Sequence, residues 1–244
     1  MKKVAFCLRG AVSKQKAFFK QNSLYEKGEY VDFIKCRNSI FKYIIGPNKN
    51  YQIDFFCHCW NTDLKDKLKE IYKPKIIVVE DNSKYEKIIN NKCEKPEDFG
   101  GISQSLAIKK SVILKEKYEM KNNFKYDIVI IYRYDLLLWK NIILDDYNLN
   151  QDNIYVNAHV NCNGDFHFIM NNNNSRYFKF LFNSIELSNK HIMHFWIKKF
   201  VTQILKKKLI MDKIIPGLHQ EVIRKIQDFS IKKGFLSKEL YDCI

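Results

Sequence analysis

Phe124-Lys-Tyr-Asp-Ile-Val-Ile-Ile-Tyr-Arg-Tyr-Asp-Leu-Leu-Leu-Trp139 is the stretch on which the fold turns. Its middle, Ile128 to Ile131, is an unbroken β-branched apolar run. Such a run suits a strand buried on both faces, as in a parallel sheet covered by helices. The chain then turns polar at Tyr132, Arg133, Tyr134 and Asp135. Open α/β sheets bind ligands at the carboxyl ends of their strands. Arg133 and Asp135, two residues apart, point to one side there. Either they serve a ligand or they pair and close the strand.

The segments around this strand repeat its logic. Strands are predicted at Lys3–Leu8, Gln52–Trp60 and Lys75–Glu80. Helices are predicted at Glu29–Ile45, stopped by Gly46-Pro47, and at Leu64–Tyr72 after an Asn61-Thr62-Asp63 cap. A third runs from Ser103 to Lys121, with Leu106, Ile108, Val112, Ile113, Leu114 and Met120 toward the sheet. Residues 81–100 read as a loop with a short helix. Strand and helix thus alternate through residue 139, the pattern of a doubly wound α/β sheet. Strands at Ile154–Val160 and Phe166–Met170, joined by a turn at 161–165, read as an added hairpin. Helices over Ser175–Leu187, His191–Leu209 and about His219–Lys233 make the C-terminal third helical. No repeat or flexible linker divides the chain, so 1–244 reads as one domain.

The 244 residues carry a formal charge of +15 and 46% hydrophobic side chains. A packed core is therefore expected, and disorder is not. The excess of lysine predicts anionic partners such as phosphate-bearing molecules or acidic membrane surfaces. Arginine does not cluster as it does in nucleic-acid readers, so no nucleic acid is expected. No apolar run reaches the ~20 residues of a membrane span. Val4 to Leu8 is too short for a signal sequence, and a cytoplasmic location is expected. The seven cysteines follow no framework spacing and read as reduced thiols, Cys57 and Cys59 alternating along one strand. Gly10, just after the first strand, would let the backbone approach a phosphate.

Ser103-Gln-Ser-Leu-Ala-Ile-Lys-Lys-Ser-Val-Ile-Leu-Lys115 with Asn123-Phe-Lys-Tyr-Asp-Ile-Val-Ile-Ile-Tyr-Arg-Tyr-Asp135 resembles bacterial and viral surface-glycan glycosyltransferases. Those have a similar helix followed by a strand ending in Arg-x-Asp. His58-Cys-Trp60, Asn163-Gly-Asp165 and His219-Gln-Glu221 are similar to further motifs of that family. The resemblance implies a GT-A-like fold, a nucleotide-sugar donor and a surface-glycan acceptor. Residues 1–139 would then bind the donor, and 140–244 would form the acceptor side. It also implies a carboxylate motif, usually Asp-x-Asp, holding Mn²⁺ or Mg²⁺ against the donor diphosphate. Here Arg133 stands where the first carboxylate is expected, and Arg9-Gly10-Ala11 where Ser-Gly-Gln is. Asp135 would need help from His219, Asp165 or Glu221 to hold a cation.

Expected roles follow. Asp135 and Asp165 are candidate catalytic carboxylates, Asp165 as base or acceptor ligand. Arg9, Gly10, His58, Arg133 and Tyr134 are candidate donor contacts, with Asp135 and His219 as metal ligands. Each has a plainer reading: a strand-closing pair for Arg133 and Asp135, a turn residue for Asp165, a core histidine for His58, a helix cap for His219 and a packed ring for Tyr134. Two other functions remain open: a basic module for RNA or an acidic surface, and a nucleotidyltransferase on a related fold. Ile192, Phe195, Trp196, Phe200, Val201 and Ile204 recur at helical spacing beside Lys198, Lys199 and Lys206 to Lys208. That stripe either docks at an anionic inner membrane face or packs on the sheet.

Overall fold

The computed structural model describes residues 1–12, 32–96, 98–138, 140–159, 162–187, 193–212 and 217–218. Its centre is a seven-stranded sheet. In chain order, β1 (Lys3–Gly10) leads to α1 (Phe33–Ile40), and β2 (Gln52–Cys59) to α2 (Lys65–Tyr72). Then come β3 (Ile76–Val79), α3 (Glu86–Asn90), α4 (Asp98–Asn122) and β4 (Ile128–Arg133). A two-residue β5 (Leu136–Leu137) precedes the hairpin β6 (Asn153–His159) and β7 (Cys162–Asn171). After α5 (Asn172–Ser175) and α6 (Met193–Lys199), β8 (Lys208–Asp212) and β9 (Gly217–Leu218) follow.

The spatial order is β3-β2-β1-β4-β7-β6-β8. Only β7 runs against the rest, since it pairs antiparallel with both β4 and β6 while all other neighbours are parallel. This is a mixed α/β, mostly parallel, Rossmann-like sheet flanked by helices. The order 3-2-1-4 reverses direction between β1 and β4. Such a switch point opens a crevice at the carboxyl ends of the two strands.

Alternation along the strands builds two cores. Val4, Phe6 and Leu8 with Ile128, Ile130 and Tyr132 face α1 and α2. Ala5, Cys7, Val129 and Ile131 face α4 and α6. Both sets are buried, as predicted for β4. Each large apolar side chain so buried contributes about 1.5–3 kcal/mol. Helix α4 is covered by the sheet on one side and by residues 176–187 and α6 on another. Leu106, Ile108, Val112 and Leu114 are buried as expected, whereas Met120 is 70% exposed. Ser105 and Ser111 sit in this core by donating to the carbonyls of Ile102 and Ile108, at 2.7 and 2.9 Å.

The hairpin is present as expected, and β7 pairs directly with β4, so it extends the parallel strands into one sheet. Several expectations are corrected. Gly164 and Asp165 lie within β7, not in a turn. A Cβ on Gly164 would stand 1.9 Å from Asn157 Nδ2, so only glycine fits. Buried Asn157 uses its Oδ1 to accept from Phe166 N at 2.9 Å and His167 N at 3.3 Å, beside a bulge between Val156 and Ala158.

The predicted 175–187 helix is two 3₁₀ pieces, Arg176–Phe180 and Ile185–Leu187, which bury Phe178 and Ile185, while Leu181 and Phe182 are buried on the turn between them. The predicted 191–209 helix ends early. A π-helical turn over Phe200–Ile204 follows α6, Lys206 takes a left-handed φ of 56°, and the chain leaves as β8. Half of its apolar stripe is core: Trp196, Phe200 and Val201 are buried together with Ile197; Phe195 and Ile204 are exposed, and Ile192 lies outside the described residues. No helix among the described residues is long and apolar enough to cross a membrane. Asn61 does not cap α2; its Oδ1 accepts from Val12 N at 2.8 Å and fixes the exit of β1. The predicted helix near 219–233 lies outside the described residues.

Candidate functional site

The sheet register sets the site. Arg9 on β1 lies opposite Arg133 on β4 and His58 on β2. Neighbouring strands are ~4.8 Å apart, so two guanidinium stems leave adjacent strands side by side. By alternation all three share the α4 face of the sheet. From β7, Asp165 arrives at the same edge because that strand runs the other way.

Arg9 is 1% exposed. Its Nη2 donates to the Asp165 carbonyl at 2.5 Å, and its buried Nε has no partner among the described residues. No carboxylate of the described residues makes an ion pair with it. Burial first, and Arg133 second, lower its pKa to about 9, with Asp165 and Asp135 pulling back. It remains a cation at neutral pH. A buried polar group left unpaired is uncommon and calls for an explanation.

Arg133 and Asp135 form a two-pronged pair: Nε donates to Oδ1 at 2.9 Å and Nη2 to Oδ2 at 2.6 Å. The pair is partly exposed, with 24% and 20% of the side chains open to solvent. Arg133 also lies 5.2 Å from the centre of the Phe166 ring. The strand-closing reading of these residues is therefore what the fold adopts, and Asp135 is the counter-ion of Arg133. Asp165 Oδ2 accepts from Gln104 Nε2 at 2.8 Å, and the same amide reaches the Asp165 carbonyl at 3.1 Å. Oδ1 of Asp165 has no partner among the described residues. Gly10 has a φ of 100°, and beyond its chain neighbours no atom of the described residues lies within 4 Å of where its Cβ would stand. Its carbonyl accepts from Trp60 N at 3.1 Å, so the turn is held while one side of it stays open.

Two expected donor contacts are corrected. Tyr134 is fully buried on the opposite face, with its ring 6.0 Å from Tyr72. Alternation explains this: a residue next to Arg133 must point away from it. His58 is also fully buried, against Trp60. Its Nε2 lies 2.9 Å from Glu80 Oε1. Burial lowers the imidazole pKa, against the pull of Glu80, so a neutral ring donates Nε2–H and leaves Nδ1 as an unpaired acceptor. Glu80 also accepts from Tyr85 Oη and Lys110 Nζ, each at 2.6 Å. Those donors, His58 foremost, hold its carboxyl at about 2.

Gln104, Lys110 and Glu80 escaped the sequence reading. Glu80 ends a strand as Asp135 nearly does, and the same rule would have flagged it. Gln104 lies in the first turns of α4, at the ligand end of the sheet.

Among the described residues the donor set does not suit a divalent cation. No three His, Cys, Asp or Glu side chains gather among the described residues. Asp135 gives both oxygens to Arg133, and Asp165 gives one to Gln104. His219 and Glu221 lie outside the described residues. Cys7, Cys36, Cys57, Cys59 and Cys93 are free thiols, the first four of them buried. What the edge offers is two adjacent guanidiniums, an open glycine and a carboxylate with a spare oxygen. Guanidinium forks are suited to phosphate and carboxylate anions, and a carboxylate oxygen without a donor is suited to accept a proton. No known protein family matches the chain, and no characterised protein matches it significantly.

Proposed function

We propose that the chain is a glycosyltransferase of the GT-A type, moving a sugar from a nucleotide-sugar donor to a glycan acceptor. The observation that carries this reading is Arg9: a buried guanidinium at the switch point, with an unpaired Nε and no carboxylate partner among the described residues. A donor diphosphate would supply the missing acceptors. Arg133, one strand away, adds a second fork. Gly10 lets phosphate oxygens reach the backbone.

In the transfer, the bond from the sugar's anomeric carbon to the diphosphate oxygen breaks, and its electron pair leaves with the phosphate. The charge gained there falls between Arg9 and Arg133. An acceptor hydroxyl forms the new bond to the anomeric carbon, and its proton goes to Asp165 Oδ1. Gln104, bonded to Oδ2 and to the Asp165 carbonyl, fixes that carboxylate. Thermal-shift screening of the whole chain against UDP-, GDP- and dTDP-sugars, followed by a transfer or donor-hydrolysis assay, tests the reading. Stabilisation by one nucleotide class and turnover of its sugar are expected. Stabilisation by none would overturn the assignment.

A further inference from the structure

We infer that an arginine pair, Arg9 and Arg133, neutralises the departing diphosphate in place of a divalent cation. The inference rests on the donor reading above and adds how the charge is met. Arg133 occupies the position where the resemblance implies the first metal-binding carboxylate. A cation at Asp135 would have to break a two-pronged ion pair whose Nη2–Oδ2 distance is 2.6 Å. It would also sit beside two like charges on adjacent strands, Arg9 and Arg133. Asp165, the other carboxylate at this edge, already accepts from Gln104. A phosphate meets none of these conflicts. It offers acceptors to the buried Arg9 Nε, and it competes with Asp135 for the exposed part of the Arg133 fork. Asp135 then acts as a positioning residue, which holds the Arg133 fork in its plane until the donor arrives.

Calorimetric titration of the whole chain with UDP and GDP, in EDTA and in millimolar MnCl₂, decides the matter. Affinity in the two buffers is expected to agree within roughly threefold, a small fraction of the free energy of micromolar binding. Asp135→Asn keeps an acceptor for Arg133 and removes the competing charge. It is expected to tighten nucleoside diphosphate binding about two- to fivefold, the worth of a partly exposed ion pair. Circular dichroism checks that this variant is folded, and the EDTA arm on the wild-type chain stands without it. Binding that falls tenfold or more in EDTA and returns with Mn²⁺ overturns the inference and leaves the donor reading intact. So does a tenfold loss in folded Asp135→Asn. Binding in neither buffer overturns the inference and the donor reading together.

Discussion

Two cations are buried on the same face of the sheet, at opposite ends of α4, and they differ in one respect. Lys115 is fully enclosed, and everything it needs is there: Glu119 at 3.2 Å, Ser175 Oγ at 3.2 Å and Asn172 Oδ1. Glu119 in turn accepts from Tyr126 N at 3.1 Å and Lys125 Nζ at 3.4 Å. That network ties the end of α4 to the start of β4 and to α5. Arg9 is as deeply buried, yet it holds one backbone carbonyl and an unpaired Nε. A satisfied buried charge specifies a structure; an unsatisfied one anticipates a ligand.

Breaking the first cluster should have the largest effect. Lys115→Met leaves Glu119 buried without its main counter-ion and is expected to cost about 3–5 kcal/mol in urea unfolding. Arg9→Met should do the reverse. Stability is expected to hold or rise, because a poorly paired buried charge is replaced by an apolar chain. Nucleoside diphosphate binding by calorimetry should weaken by about 1.5–3 kcal/mol, the scale of hydrogen bonds to charged groups. If Arg9→Met destabilises as much as Lys115→Met, the contrast between the two ends of α4 is false.

Two smaller effects sharpen it. Gly164→Ala would drive a methyl into Asn157, displacing the strand that carries Asp165. A loss of about 1–3 kcal/mol is expected from such overpacking, read as a lower melting temperature. The smallest concerns pH. The Glu80 carboxyl is held at about 2, below its ordinary 4.5, chiefly by the hydrogen bond from His58. A depressed carboxyl stabilises fully above 4.5 and loses that contribution as pH falls toward 2. Burial also lowers His58 below its ordinary 6.5, so protonation of the unfolded chain pulls in the same direction. Urea midpoints across this range should decline with acid in the wild type and decline less in Glu80→Gln. Equal acid slopes would remove Glu80 from the account.

The parallel half of the sheet was legible because its strands are buried on both faces and therefore read as apolar runs. Val4 to Leu8, Phe55 to Cys59 and Ile128 to Ile131 needed no partner to be recognised. Strand β8 was not legible. Lys208-Leu-Ile-Met-Asp212 continues the lysine-and-apolar rhythm of α6, and only pairing with β6, more than fifty residues away, makes it extended. The site divided along similar lines. Arg9, Gly10, Arg133 and Asp135 follow from strand ends alone, whereas Asp165 reads as a turn residue, takes its role from the resemblance, and lies within β7. Tyr134 is buried on the other face, as the alternation that puts Arg133 and Asp135 on one side requires. Gln104 and Lys110 come from a helix whose polar positions carry no mark of the edge they reach.

The central place of β1 has a cost during synthesis. One flank pairs with β2, made soon after it, but the other waits for β4: Val4 lies against Ile128. Ribosomes add about 5–20 residues per second, so roughly 6–25 s separate the two strands as they emerge. Throughout that interval an apolar strand of the nascent chain has one open edge, the form most prone to pair with a neighbouring chain. Arg9 and Arg133 come side by side only when that edge closes.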